Sequence, residues 1–148
     1  MTLRRVFFIL LIHFVVMVGY PHYGIAGFSF GMMSAVIWSL GAIAVSIIIT
    51  LLAMEKWDRL NKFITVALVI LCAWFLLAKL PQEDKVAPLK KITYGDFPKG
   101  ADIKDGLKNF GLNWDALTGW VRGARSGAQR LNNLQDRTDR ALKEAAGE

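Results

Sequence analysis

Hydrophobic positions run without a charge through most of the N-terminal half of the chain. No Lys, Arg, Asp or Glu occurs from Val6 to Met54, a run of 49 residues, and a second uncharged run extends from Phe63 to Ala78. A charge at the centre of a bilayer costs roughly 2.5–3.5 kcal/mol on insertion scales, so such runs are typical of segments whose solvent is lipid. Because about 20 apolar residues cross the hydrocarbon core, the first run predicts two crossings.

The two runs together predict three membrane-spanning helices. The segment from Gly19 to Gly24 supplies the break in the first run, because Pro21 cannot continue a helix. We expect spans at about residues 3–20, 30–54 and 63–80. The predicted fold class is an all-α integral membrane protein, with residues 1–80 as its membrane domain and a small tail outside the membrane.

The rest of the chain predicts a linker and a helical tail. Three prolines mark residues 81–100 as an irregular linker, in which residues 91–94 have the composition of one short strand. In the tail, residues 101–148, the apolar positions change to a 3.6-residue period, which predicts an amphipathic helix followed by a polar helix over residues 126–146. The apolar docking face consists of Ile103, Leu107, Phe110, Trp114, Leu117, Trp120 and Val121. The pattern leaves open whether this face binds lipid, a partner protein or the chain's own spans.

The placement of basic residues predicts the orientation. Arg4 and Arg5 lie at the start of the first span and three basic residues lie in the second loop, residues 55–62, whereas residues 20–29 contain neither Lys nor Arg. The positive-inside rule therefore places the N-terminus in the cytoplasm of a bacterium and the tail in the periplasm. Arg4 and the apolar stretch after it also resemble a signal peptide, but without a convincing cleavage site we expect an uncleaved anchor. The net charge of +6 follows this topology, so no nucleic-acid partner is expected.

Small residues recur at steps of three or four along the second span. Close backbone approach and side-chain hydrogen bonds drive the association of helices in membranes, so a continuous small stripe predicts a helix-packing face. The stripe consists of Gly27, Gly31, Ala35, Ser39, Ala42, Ser46 and Thr50. Its partner is either the other two spans or another protein. The alternative interpretation is a polar face that lines a pore.

His13 lies midway along the first span, where an ionisable side chain is a functional candidate by default. It is the one cofactor-binding candidate, as a ligand of haem or a pigment, and it is also a candidate proton carrier. Haem held by two histidines would need a second histidine at the same depth, and the other two spans contain none. The competing interpretation is a neutral imidazole hydrogen-bonded to a neighbouring helix, for instance to a hydroxyl on the second span.

The sequence contains no motif of a known catalytic chemistry, such as a Gly-rich phosphate loop, a Cys/His metal spacing or a Gly-x-Ser-x-Gly elbow. We therefore expect a small non-enzymatic accessory subunit of a larger membrane complex, of the secretion, pilus, respiratory or photosynthetic type. Its expected partners are other membrane subunits and the lipid bilayer, with no cofactor or metal. One alternative is a homo-oligomeric pore or holin-like channel. The other is a haem- or pigment-binding subunit that uses His13.

Overall fold

The computed structural model describes residues 2–52 and 58–113, together with residues 116, 118, 119 and 123. Contacts divide the chain into a smaller unit, residues 110–148, and a larger compact unit, residues 1–109. Its helices are α1 (Thr2–Gly19), α2 (Gly24–Leu51), α3 (Asp58–Lys79), α4 (Pro88–Thr93) and α5 (Gly100–Asn109). The predicted polar helix at residues 126–146 lies outside the described residues, as do Trp114, Leu117, Trp120 and Val121.

Helices α1, α2 and α3 are each long and apolar enough to cross a membrane, as the two uncharged runs predicted. The break falls at residues 20–23, inside the predicted segment. The last backbone bond of α1 runs from the Tyr20 N–H to the Val16 carbonyl, and Pro21 has no N–H with which to continue. Four residues suffice for the reversal, so α2 begins at Gly24, six residues before the predicted start of the second span.

Helix α1 is the centre of the bundle, since it packs against both α2 and α3. The contacts of Arg5 and His13 show that α2 runs antiparallel to α1 and that α3 runs parallel to it. Ile9, Ala42 and Cys72, one from each helix, form the fully buried core. Large apolar side chains on the outer faces, such as Met33, Ile37 and Ile70, remain exposed, as expected for helices surrounded by lipid.

The linker contains a helix that the sequence did not predict. Residues 88–93 form α4, so the short strand expected at residues 91–94 is wrong. Pro88 occupies the first turn, where a missing N–H costs nothing, and Lys90 and Lys91 lie in the last turn, where positive charge is favourable. These end effects favour a short helix over an isolated strand that has no partner.

The amphipathic repeat is also interrupted. The pattern from Ile103 to Val121 suggested a longer helix, but α5 ends at Asn109. Gly111, two residues beyond, has a φ of 78°, a left-handed conformation that favours glycine and commonly follows the end of a helix.

Candidate functional site

Arg5 links the three long helices at the end of the bundle where α1 begins. Its side chain is only 2% exposed. Nε donates to Thr65 Oγ1 at 2.9 Å, and one terminal nitrogen donates to Ser46 Oγ at 2.7 Å. The other terminal nitrogen donates to the side-chain oxygen of Asn61 and lies 3.4 Å from its backbone oxygen. We call Arg5, Ser46, Asn61 and Thr65 the Arg5 cluster.

The oxygens of the Arg5 cluster are neutral and oriented toward the guanidinium. Ser46 donates its own hydroxyl hydrogen to the Ala42 carbonyl at 2.8 Å, and Thr65 donates its hydrogen to the Asn61 carbonyl at 2.9 Å. The lone pairs of both hydroxyls are therefore free to accept from Arg5. Among the described residues no carboxylate forms a salt bridge with Arg5, so protein oxygens replace water around a charge that no described acid neutralises.

A cavity of about 390 Å³ lies beside the Arg5 cluster. Asn61 and Thr65 line it and also bind Arg5, so the buried charge stands directly behind the cavity wall. Arg4 and Lys62 add two exposed cations to the lining. The remaining wall is apolar and is formed by Phe8, Val66, Val69 and Ile70. The cavity thus has a basic polar part and an apolar part.

His13 lies in the interior of the bundle and is 3% exposed. Its Nδ1 is 2.8 Å from the Ile9 carbonyl oxygen, which can only accept, so Nδ1 carries the hydrogen. Nε2 then accepts from the Ser34 hydroxyl at 3.0 Å. The contacts bond the imidazole between α1 and α2 and are those that a neutral ring would make. A haem or pigment bound through Nε2 would have to displace Ser34.

The bond between His13 and Ser34 predicts a difference between two serines of α2. We expect Ser34→Ala to lower the free energy of unfolding of the bundle by about 1 kcal/mol, the size measured for hydrogen bonds between membrane helices. Ser29→Ala is the matched control, because Ser29 is exposed on the same helix. Detergent-unfolding titrations followed by circular dichroism measure both, and equal stabilities of the two variants would contradict the assignment.

The small-residue stripe of α2 lies mostly inside the chain's own bundle. Its members Gly27, Gly31, Ala35, Ala42 and Ser46 are buried, Ser39 is half-buried and Thr50 is exposed. A Cβ added to Gly31 would overlap the side chain of Met17 on α1. Ser34, which falls off the stripe, is buried against His13. The stripe therefore faces α1 for most of its length.

A second polar network ties α4 to the opposite end of the bundle. Lys91 Nζ, which is largely buried, donates to Gln82 Oε1 at 3.0 Å and lies 2.7 Å from Asp84 Oδ2. Gln82 donates in turn to the Tyr20 carbonyl at 3.4 Å. The hydrogen bond from Lys91 holds the pKa of Asp84 below its usual range. The network fixes the linker against the end of α1.

Helix α5 docks on the same end of α1. Gly106 meets the backbone of Val18 so closely that no Cβ would fit, and Asn109 Nδ2 donates to the Pro21 carbonyl at 3.1 Å. Helix α5 therefore packs on the chain's own spans, although Ile103 of the predicted docking face remains exposed. Leu107 is half-buried there, whereas Phe110 belongs to the smaller unit.

Three large apolar side chains stay exposed on this docked region, outside the three long helices. Tyr94 is 77% exposed, Phe97 61% and Ile103 42%. They fall within one ten-residue segment, between the end of α4 and the first turns of α5. We call these three residues the outer apolar surface.

Sequence reasoning missed the Arg5 cluster, because Arg5 was assigned with Arg4 to the charged flank of the first span. A signal was nevertheless present. Three alternating spans place the start of α1, the end of α2 and the start of α3 at one end of the bundle. Ser46, Asn61 and Thr65 are polar residues at that level.

The described residues contain few groups that could bind a metal ion or take part in catalysis. No group of three or more His, Cys, Asp or Glu side chains there is placed to hold a metal ion. Comparison of the chain with protein-family models, with curated proteins and with solved structures finds no match.

Proposed function

We propose that the chain is a small non-enzymatic accessory subunit of a larger membrane complex, and that it binds another membrane subunit through the outer apolar surface. The observation that carries this proposal is the exposure of Tyr94, Phe97 and Ile103 on a segment that is otherwise tied down. The three spans would hold this segment at one face of the bilayer.

Rigidity makes the outer apolar surface suited to binding. Lys91 fixes α4 through Gln82 and Asp84, and Gly106 fixes α5 against α1. Binding to a segment that is already ordered avoids much of the entropy cost of ordering a loop. Large aromatic side chains such as Tyr94 are also the residue types that dominate interface energies.

The polar groups inside the bundle support a structural role rather than a channel. The hydroxyls of Ser34 and Ser46, which the pore interpretation would place in water, bond to His13 and Arg5 on α1. A pore lined by α2 would need to break both contacts. The same contacts favour His13 as a packing residue over a cofactor ligand.

The proposed location is a bacterial inner membrane, with the N-terminus cytoplasmic and the tail periplasmic. Its support is the distribution of Lys and Arg between the two short loops. Cys72, the one native cysteine, is fully buried, so a Lys85→Cys variant would carry a single exposed thiol. A membrane-impermeant maleimide should label it in intact spheroplasts. Labelling only after lysis would overturn the orientation.

The partner proposal is tested by purification from native membranes in a mild detergent. We expect another membrane protein to co-purify in stoichiometric amount, and the double variant Tyr94→Ala/Phe97→Ala to weaken its binding about 30-fold, as for a typical hot spot. Lys104→Ala is the matched control, since Lys104 is exposed on α5 but polar.

Three outcomes would contradict the proposal. A complex that the double variant leaves intact would exclude the outer apolar surface as the binding site. Recovery only as a homo-oligomer that conducts ions in liposomes would favour the channel. Visible absorbance that is lost on His13→Ala would favour the haem- or pigment-binding alternative.

A further inference from the structure

We propose that the cavity beside the Arg5 cluster binds one anionic phospholipid, with its phosphate between Arg4 and Lys62 and an acyl chain along the apolar wall. The inference rests on the membrane insertion proposed above and is independent of the partner subunit. It assigns a specific lipid site to one end of the bundle, beyond general contact with the bilayer.

The charges around the cavity favour an anion. Arg4 and Lys62 line it. Arg5 lies behind its wall, and the described side chains that accept hydrogen bonds from Arg5 are all neutral. In the part of the chain that the structure describes, the acidic side chain paired with Lys62 is Asp58, whose Oδ2 is 2.6 Å from Lys62 Nζ. Both side chains of this pair are more than half exposed, and exposed pairs at i,i+4 stabilise little, so a phosphate can share Lys62 at low cost.

The position of the cations fits a lipid head group. Arg4 lies in the first turn of α1 and Lys62 near the start of α3, the level at which these helices would enter the membrane. The Arg4 guanidinium carbon is 5.6 Å from the centre of the Phe8 ring, a cation–π contact that places the charge beside the cavity. Basic pockets between membrane helices on the cytoplasmic side are known to bind anionic head groups.

The apolar wall distinguishes a lipid from a free anion. It continues from Lys62 along α3 to Ile70, eight residues or roughly 12 Å toward the middle of the bundle. Val66, Val69 and Phe8 complete this wall. An inorganic phosphate would occupy the basic part alone, whereas a phospholipid matches the basic part and the wall together. The cavity volume also lies within the range of small-molecule sites.

The test is native mass spectrometry of the full chain in detergent, titrated with dioleoylphosphatidylglycerol or dioleoylphosphatidylcholine. We expect one phosphatidylglycerol per chain, bound roughly tenfold more tightly than phosphatidylcholine. Arg4→Gln/Lys62→Gln should remove this preference. Arg59→Gln is the matched control, because Arg59 is exposed at the same end of α3 but does not line the cavity.

A second variant tests the apolar wall without changing any charge. Val69→Trp should fill the cavity and reduce phosphatidylglycerol binding, while circular dichroism and the membrane fraction show that the chain is still folded and inserted. Equal binding of the two lipids, undiminished binding in the double variant, or displacement of the lipid by millimolar inorganic phosphate would each overturn the proposal. Failure of the chain to enter the membrane fraction would instead reject the membrane insertion on which the proposal rests.

Discussion

Replacing Arg5 with leucine is expected to lower the free energy of unfolding of the bundle by roughly 2 kcal/mol. The substitution removes the hydrogen bonds that Arg5 donates to Ser46, Asn61 and Thr65. Each hydrogen bond to a charged group contributes more than a neutral one, although removal of the buried charge offsets part of the loss. Detergent-unfolding titrations followed by circular dichroism measure the change. Arg4→Leu, at the exposed neighbouring position, should have little effect on stability.

A double-mutant cycle separates the interaction between Arg5 and Asn61 from the effects that each substitution has by itself. Asn61 is the buried side chain of the cluster whose amide oxygen accepts from Arg5, so loss of either residue removes the same contact. Arg5→Leu and Asn61→Leu should therefore be less harmful together than the sum of the single variants, by about 1 kcal/mol or more. Additive effects of the two substitutions would show that the side chains act independently.

The number of long helices could be predicted because it follows from the uncharged runs and from the length that a helix needs to cross a bilayer. The absence of charged residues from Val6 to Met54 requires a reversal near Pro21, and α1 and α2 meet there. The helix ends were harder to predict. Residues 24–29 are uncharged and can belong equally to a loop or to α2, since in lipid the length of a span is set by its neighbours as well as by its hydropathy.

The burial of Arg5 depends on which face of α1 the residue occupies. The positive-inside rule counts charges at the end of a span and does not consider the helix face. Arg5, Ile9, His13 and Val16 follow steps of four, four and three, so they share one face of α1, and all four are buried. Arg4 is exposed although it lies only one residue away. A helical projection of the first span would have separated the two arginines. It would not have identified Asn61 as a partner, because that needs the packing of α3.

The role of Gly106 could not be predicted, because a glycine in a helical segment can either weaken the helix or allow another helix to approach closely. In sequence, Gly106 weakens an amphipathic helix by roughly 1 kcal/mol relative to alanine. In the structure, its missing side chain allows α5 to contact the backbone of Val18. Only the approach of the two helices distinguishes a weak helix from a closely docked one.

Gly106→Ala is therefore expected to release α5 from α1, although alanine is the better helix former. The added Cβ would overlap the backbone of Val18, which cannot move as a flexible side chain does. Overpacking of this kind costs about 1–3 kcal/mol, more than the gain of roughly 1 kcal/mol in helix propensity. Hydrogen exchange of residues 103–109 should accelerate by roughly tenfold or more. The docked position of Ile103 should be lost with it.

Gly100→Ala provides the control on the same helix, because a Cβ at Gly100 would meet nothing within 4 Å. This variant should leave exchange in α5 unchanged or slow it slightly. If Gly106→Ala also slowed exchange, helix propensity would outweigh the contact with Val18 and α5 would not be docked as described. Acceleration confined to Gly106→Ala would instead show that the absence of a side chain at this position allows α5 to dock on the bundle. The position of Ile103 in the outer apolar surface would then depend on that close contact.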